Sequence, residues 1–254
     1  MNSQIFFYSD AAKDAVRSVI QSLPDDVEVY LVGGAIRNAL VKKYHDETWV
    51  QRDYDQAITS GSPKYLAQLE QLGFSRGSIN NAEHIVMAKP LKENGKELSY
   101  DDNLVFDMHT VDGTTIEDNL KYSTALSING FALPLRHIFD EDWEDKLIQL
   151  PGALESIKKK QINVNQDGYT SESNYFFALL RFMGAGFAAP RHDDVIKLLK
   201  VTADIEPDRY ARNVTKLVNY VGGEDRVREI VNSLGIENLD VFDEQSTKQL
   251  ARSS

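Results

Sequence analysis

Two aspartates, Asp53 and Asp55, carry the clearest chemical signal in this chain. They sit in the segment RDYDQAI, which reads as an extended strand, so side chains at alternate positions share a face and both carboxylates point the same way. Two hard oxygen ligands side by side suit Mg²⁺ (or Mn²⁺), an ion that keeps several waters and bridges to substrate phosphates. Upstream, Val27, Val29 and Leu31 form a β-rich run that ends in Gly33-Gly34, and a short helical pattern follows. Glycines at such a turn let backbone N–H groups approach an anion, and the start of the helix favours negative charge. Arg37 lies in the first helical turn. Taken singly, Gly-Gly is most often a tight turn and Asp-x-Asp a solvated loop. In this order, a phosphate cradle followed by paired carboxylates is the equipment of nucleotidyl transfer.

The elements that must hold these residues follow from periodicity. Ser9 or Asp10 can cap a helix whose apolar positions include Ala12, Val16, Val19 and Leu23, with Pro24 ending it. A strand at 27–32 follows, then a helix from Ala35 to about Lys43, a polar insert at 44–52 and a strand from Tyr54 to Ile58. Ser62-Pro63 is read as a cap plus first-turn proline, starting a helix that stops at Gly73. Ile85–Ala88 and Leu104–Thr110 are expected to form a hairpin. In its second arm Val105, Asp107 and His109 share one face; the plain reading of Asp107 is a surface-facing edge position, and His109 is read as structural. Beyond Val164 the pattern turns helical, over 170–182, 192–202, 207–221 and 224–234, with Gly222-Gly223 and Gly235 as stops. The stretch after Asn238 is read as a loose tail or one short helix.

The Gly33–Asp55 stretch resembles the signature of class II tRNA nucleotidyltransferases (CCA-adding enzymes and bacterial poly(A) polymerases) in the DNA polymerase β superfamily. That family shows Gly-Gly-x-x-Arg-Asp and then Asp-x-Asp; Gly33, Gly34, Arg37, Asp53 and Asp55 match, while Asn38 stands where the family has its Asp. The resemblance covers roughly residues 25–220. It implies an α+β fold, with a polymerase-β-like nucleotidyltransferase head on a mixed sheet over 1–140 and an all-helical neck with its tail over 141–254. It implies that Asp107 is the third catalytic and metal-binding carboxylate beside Asp53 and Asp55, and that Gly33, Gly34, Arg37 and Asn129 hold the nucleotide and its phosphates. Asn129 enters through the run Ser127, Ile128, Asn129, Gly130, which matches the end of a family segment. Asp140, Gly152, Glu155 and Ile162 fit the positions that close the head.

Two family features have no counterpart. The Arg-Arg-Asp that engages ribose and phosphates falls on Ser123, Thr124 and Ala125. The acid–arginine pair that reads the base of CTP or ATP would fall near Glu172, Asn174, Tyr175 or Ala178, and no register restores it. Tyr175, Phe176 and Phe177 bring aromatic faces there instead, which would stack on any base; Phe176 and Phe177 also suit a helical core. Asp208, Arg209 and Arg212 resemble an arginine-bearing neck helix, and Lys158-Lys159-Lys160 is read as the solvated end of a helix rather than a phosphate contact.

Composition sets the outer limits. The chain has 254 residues, 42% hydrophobic and 26% charged, as in soluble globular proteins. It has no cysteine, which excludes disulfides and thiolate metal sites and makes the cytoplasm its natural compartment. The N-terminus lacks the pattern of a signal peptide, no run is apolar enough to span a bilayer, and body and tail domains like those that grip tRNA in the family have no room here. A net charge of −11 argues against broad nucleic-acid binding. Three function classes remain open: transfer of NMP from an NTP, CTP or ATP first, to the 3′ end of tRNA or a similar RNA; the same chemistry on another acceptor (protein, small molecule or other RNA); and a catalytically degenerate RNA- or nucleotide-binding protein. Clustered carboxylates are costly without a metal, which weighs against the last.

Overall fold

A computed structural model describes residues 3–49, 53–81, 84–93, 96–97, 103–111, 113–168 and 174–253. Residues divide into two compact units, one of 1–121 with 129–151 and one of 122–128 with 152–254.

In the first unit, helix α1 (Asp10–Ser22) is capped by Ser9, whose hydroxyl accepts the Ala12 N–H at 3.1 Å. Strand β1 (Glu28–Val32), helix α2 (Gly34–His45), strand β2 (Asp53–Ser60) and helix α3 (Ser62–Gln71) follow. The cap expected at Ser62 is instead Gly61 in the left-handed region (φ 75°); Ser62 is the buried first residue of α3, and Pro63 occupies the first turn. Strands β3 (Ser75–Asn81) and β4 (His84–Lys89), a small ribbon β5 (Lys92–Glu93) with β6 (Lys96–Glu97), strand β7 (Leu104–Thr110) and helix α4 (Ile116–Ser123) come next. Strands β8 (Phe131–Pro134) and β9 (Ile148–Gln149) complete a seven-stranded sheet of order β3-β4-β7-β2-β1-β8-β9. The β2–β7 pair is parallel and the other pairs of this sheet are antiparallel. The expected hairpin of β4 and β7 is present, but β3, β8 and β9 were not anticipated.

Period-two alternation gives the central strands two different faces. Tyr54, Gln56 and Ile58 on β2 and Phe106 and Met108 on β7 are buried on one side. Phe106 stacks on Phe74 with centroids 5.0 Å apart, and Tyr65 donates its hydroxyl to Gln56 Oε1 at 3.0 Å. Helix α2 packs on β1, β2 and β8, and α1 on α3. Each fully buried Leu, Ile or Phe in these layers contributes about 1.5–3 kcal/mol. On the other face Ile116 and Leu120 of α4 cover Ala57 and Ala132, with Tyr30 and Val32 beside them. The same face, further toward the start of β2, carries Asp53 and Asp55.

The second unit holds helices α5 (Ala153–Lys158), α6 (Tyr175–Gly184), α7 (His192–Val201), α8 (Pro207–Val221), α9 (Glu224–Ser233) and α10 (Glu244–Ser253). Helix α6 packs against α7, α8 and α9, which is why Phe176, Leu179 and Leu180 are fully buried. Pro207 opens α8, where its missing N–H is harmless, and Gly222 ends it at φ 94°. The helix expected from 170 lies partly outside the described residues, since 169–173 are not among them. Of the two readings of the stretch after Asn238, a loose tail or one short helix, the second is what forms, as α10. Among the described residues no helix is long and apolar enough to cross a membrane.

Candidate active site

The site is built on β2, β7 and the turn from β1 into α2. Parallel pairing sets Asp53 opposite Val105 and Asp55 opposite Asp107, so Asp55 and Asp107 are direct neighbours on one face of the sheet. Asp53, two residues before Asp55, shares that face at the exposed end of the strand. All three sequence-derived carboxylates therefore meet on a single surface. The consequence is electrostatic. Burial, then the charges of Asp53 and Asp107, push the Asp55 carboxyl up to about 7, against the opposing pull of Arg37 and of the Gly34 N–H that it accepts. Like charges held together in this way fit a divalent cation, which would relieve their repulsion; the donor set is all oxygen, as Mg²⁺ and Mn²⁺ prefer.

Gly33 is the turn. Its φ of 62° with ψ of −115° lies where a side chain is strained, and its N–H donates to the Phe131 carbonyl at 3.2 Å. A Cβ at Gly34 would stand 3.5 Å from Asp55 Oδ2 and 3.6 Å from Arg37 Nη2, so the backbone lies directly against both side chains. Both glycine N–H groups are thus engaged inside the head, by Phe131 and by Asp55. The partial positive charge at the start of α2 faces the same place.

Arg37 is held from three sides. Its Nη1 donates to Asn129 Oδ1 at 2.5 Å, and Nε and Nη2 donate to Asn38 Oδ1 at 3.2 and 2.9 Å. Its guanidinium lies 5.5 Å from the centre of the Trp49 ring. Asn38, buried where the related signature has an aspartate, keeps the geometry of an acceptor without the second charge. Asn129 thus reaches the site through Arg37.

Sequence reasoning missed one member of this face. His84 on β4 stands opposite His109 on β7, and its Nε2 pairs with Asp107 Oδ1. The signal was a histidine at the head of an apolar run, which has no meaning until the register is known.

The departures of the second unit are equally concrete. Thr124 and Ala125 are buried, and the Thr124 carbonyl accepts the Asn165 side-chain N–H at 2.8 Å. Phe176 and Phe177 are core residues, with Phe177 edge-on to Tyr210 at 5.1 Å, so they are not stacking platforms. Tyr175 donates its hydroxyl to the Ser123 carbonyl at 2.8 Å. Glu172 lies outside the described residues. Lys158 and Lys159 both sit within 3.7 Å of Glu155 at the end of α5, as a solvated helix terminus would.

No protein-family model and no curated protein matches the chain. Its fold is similar to that of a solved tRNA-processing enzyme in an apo form, with a TM-score of 0.63 at 18% identity, over 94% of this chain and 59% of that one. It is similar to a CCA-adding enzyme in complex with CTP, with a TM-score of 0.64 at 14% identity, over 91% and 52% of the two chains. It is similar to the Thermotoga maritima CCA-adding enzyme complexed with tRNA, with a TM-score of 0.59 at 14% identity, over 87% and 54%. The chain thus spans little more than half the length of these enzymes. What the likeness shows is the fold: α+β, with a mixed-sheet head of the kind found in nucleotidyltransferases and a helical region.

Proposed function

We propose that this protein is a metal-dependent nucleotidyltransferase that moves NMP from an NTP, CTP or ATP first, to the 3′ end of tRNA or a similar RNA. The observation that carries the proposal is the in-register pairing of Asp55 with Asp107 beneath the Gly33-Gly34 turn, with Asp53 on the same face. In the reaction the acceptor hydroxyl oxygen attacks the α-phosphorus and gives up its proton to solvent, one P–O bond forms, the bond from the α-phosphorus to the α,β-bridging oxygen breaks, and pyrophosphate leaves with that oxygen and the bonding electron pair. Asp53, Asp55 and Asp107 would hold Mg²⁺ or Mn²⁺, which supplies charge neutralisation and a lowered pKa for the attacking hydroxyl. Gly33 and Gly34 bring the backbone against Asp55 and place the start of α2 toward the phosphates. Arg37, oriented by Asn38 and Asn129, would meet a phosphate oxygen. Most of the acceleration in such transfers is positioning and charge stabilisation, which a preorganised face of this kind supplies.

A second reading, the same transfer onto another acceptor, draws on the Ser123–Thr124–Ala125 segment, whose last two residues are buried and which bears none of the charges that engage the nucleotide in the related signature. Incubating the protein with Mg²⁺, each labelled NTP in turn and total RNA separates the two. Label on the RNA supports the first; label on protein or small-molecule acceptors supports the second. Asp53→Ala or Asp55→Ala should abolish incorporation in either case while leaving the fold intact. Incorporation that survives Asp55→Ala refutes the metal-dependent mechanism.

A further inference from the structure

The face that carries Asp107 has a second cluster of donors. Antiparallel pairing of β4 with β7 sets His84 opposite His109 and Val86 opposite Asp107, so the two imidazoles and the carboxylate project from the same face of adjacent strands. The His84 and His109 rings lie 4.8 Å apart at 74°, and His84 Nε2 pairs with Asp107 Oδ1. One ligand atom from each of the three residues lies within 4.8 Å of the others. Ligand atoms at about 2.0–2.2 Å from a shared tetrahedral ion stand roughly 3.4 Å from one another, a separation that small side-chain rotations reach from here.

We propose that His84, Asp107 and His109 form a binding site for one late first-row divalent cation of the Zn²⁺ class. Imidazole nitrogens favour zinc, cobalt and nickel, whereas Mg²⁺ takes oxygens in near-octahedral geometry and gives up water reluctantly. Two histidines and one carboxylate leave a fourth position open to water or substrate, as in hydrolytic zinc sites. The site shares Asp107 with the all-oxygen set of Asp53, Asp55 and Asp107, and differs from it in its two imidazoles. The inference rests on the geometry of three side chains and does not depend on the reaction proposed above.

The test is a titration of the full chain with CoCl₂ read by visible absorption, with equilibrium dialysis against ZnCl₂ in excess Mg²⁺. One Co²⁺ per chain should give the intense bands of a low-coordinate nitrogen-containing site, and Zn²⁺ should displace it where Mg²⁺ does not. His84→Ala and His109→Ala should each weaken binding by at least the roughly 10- to 100-fold that loss of a mere supporting partner costs. His109 is exposed, so its variant retains the fold, which circular dichroism checks. Asp53→Asn should leave the Co²⁺ bands unchanged. Shifts of the His84 and His109 ring-proton resonances on adding Zn²⁺ report the same contact without a variant. Absence of binding in the unmodified chain, or unchanged affinity when His84→Ala and His109→Ala are combined in one chain, overturns the proposal. Loss of the bands in Asp53→Asn with their retention in the histidine variants would assign the ion to the acidic pair and overturn it equally. Nucleotide incorporation is measured separately, so that failure of this site and failure of the proposed reaction are told apart.

Discussion

Asp55→Asn should make the metal-free protein more stable at pH 8 while removing its activity. Burial and the charges of Asp53 and Asp107 raise the Asp55 carboxyl from an ordinary 3.8 to about 7. A raised carboxyl binds more protons in the folded than in the unfolded chain between those two values, so stability falls as pH climbs through that window. Below it both states are protonated and the penalty vanishes; above it the penalty is complete. At 1.36 kcal/mol per pKa unit the whole displacement corresponds to about 4 kcal/mol, an upper bound because Asp55 keeps some contact with solvent. We expect about 2 kcal/mol of stabilisation from the isosteric amide at pH 8, or a rise in Tm of about 4–8 °C for a unit of this size. Thermal unfolding in EDTA at pH 4 and pH 8 measures it. The gain should be present at pH 8 and absent at pH 4. Adding Mg²⁺ should raise the Tm of the unmodified protein and leave the variant unmoved. An equal shift at both pH values would mean that charge repulsion at Asp55 is not what the substitution relieves. A destabilised variant at pH 8 would refute the electrostatic account altogether.

Other outcomes follow from single contacts. Arg37→Ala should raise the KM for NTP by about 10- to 100-fold, matching the ~1.5–3 kcal/mol of a hydrogen bond to a charged group, and Asn129→Ala by less, since it acts through Arg37; steady-state incorporation kinetics give both. Gly168→Ala should destabilise the helical unit by about 3 kcal/mol or more, because the new Cβ would fall 1.9 Å from the Thr124 carbonyl oxygen; urea unfolding reads it. On tRNA transcripts shortened stepwise from the 3′ end, the four NTPs should be discriminated weakly, because no acid–arginine pair is recognisable around Tyr175. Ordered addition of two C residues and one A, with UTP and GTP rejected, would place the selectivity in other residues.

What was legible in the sequence was local. Gly33-Gly34, Arg37 and the Asp53/Asp55 pair act within a turn, a helical turn and a step of two along a strand, and such geometry is set by the residues themselves. The helices after residue 174 were legible for the same reason, since a period of 3.6 is written into every window of the chain. The strands β8 and β9 were not: Phe131–Pro134 and Ile148–Gln149 are too short to show alternation, and they become strands because partners offer them a ladder. Strand β3 was hidden in the same way, in the polar run SRGSINN. The meeting of Asp55 with Asp107 needs the parallel register of β2 and β7, and that of His84 with Asp107 the antiparallel register of β4 and β7. A slip of one residue would turn either set of side chains to the opposite face. The chain alone chose which residues could do chemistry; pairing between strands distant in sequence decided which of them share a surface, because register is fixed by packing across the whole sheet.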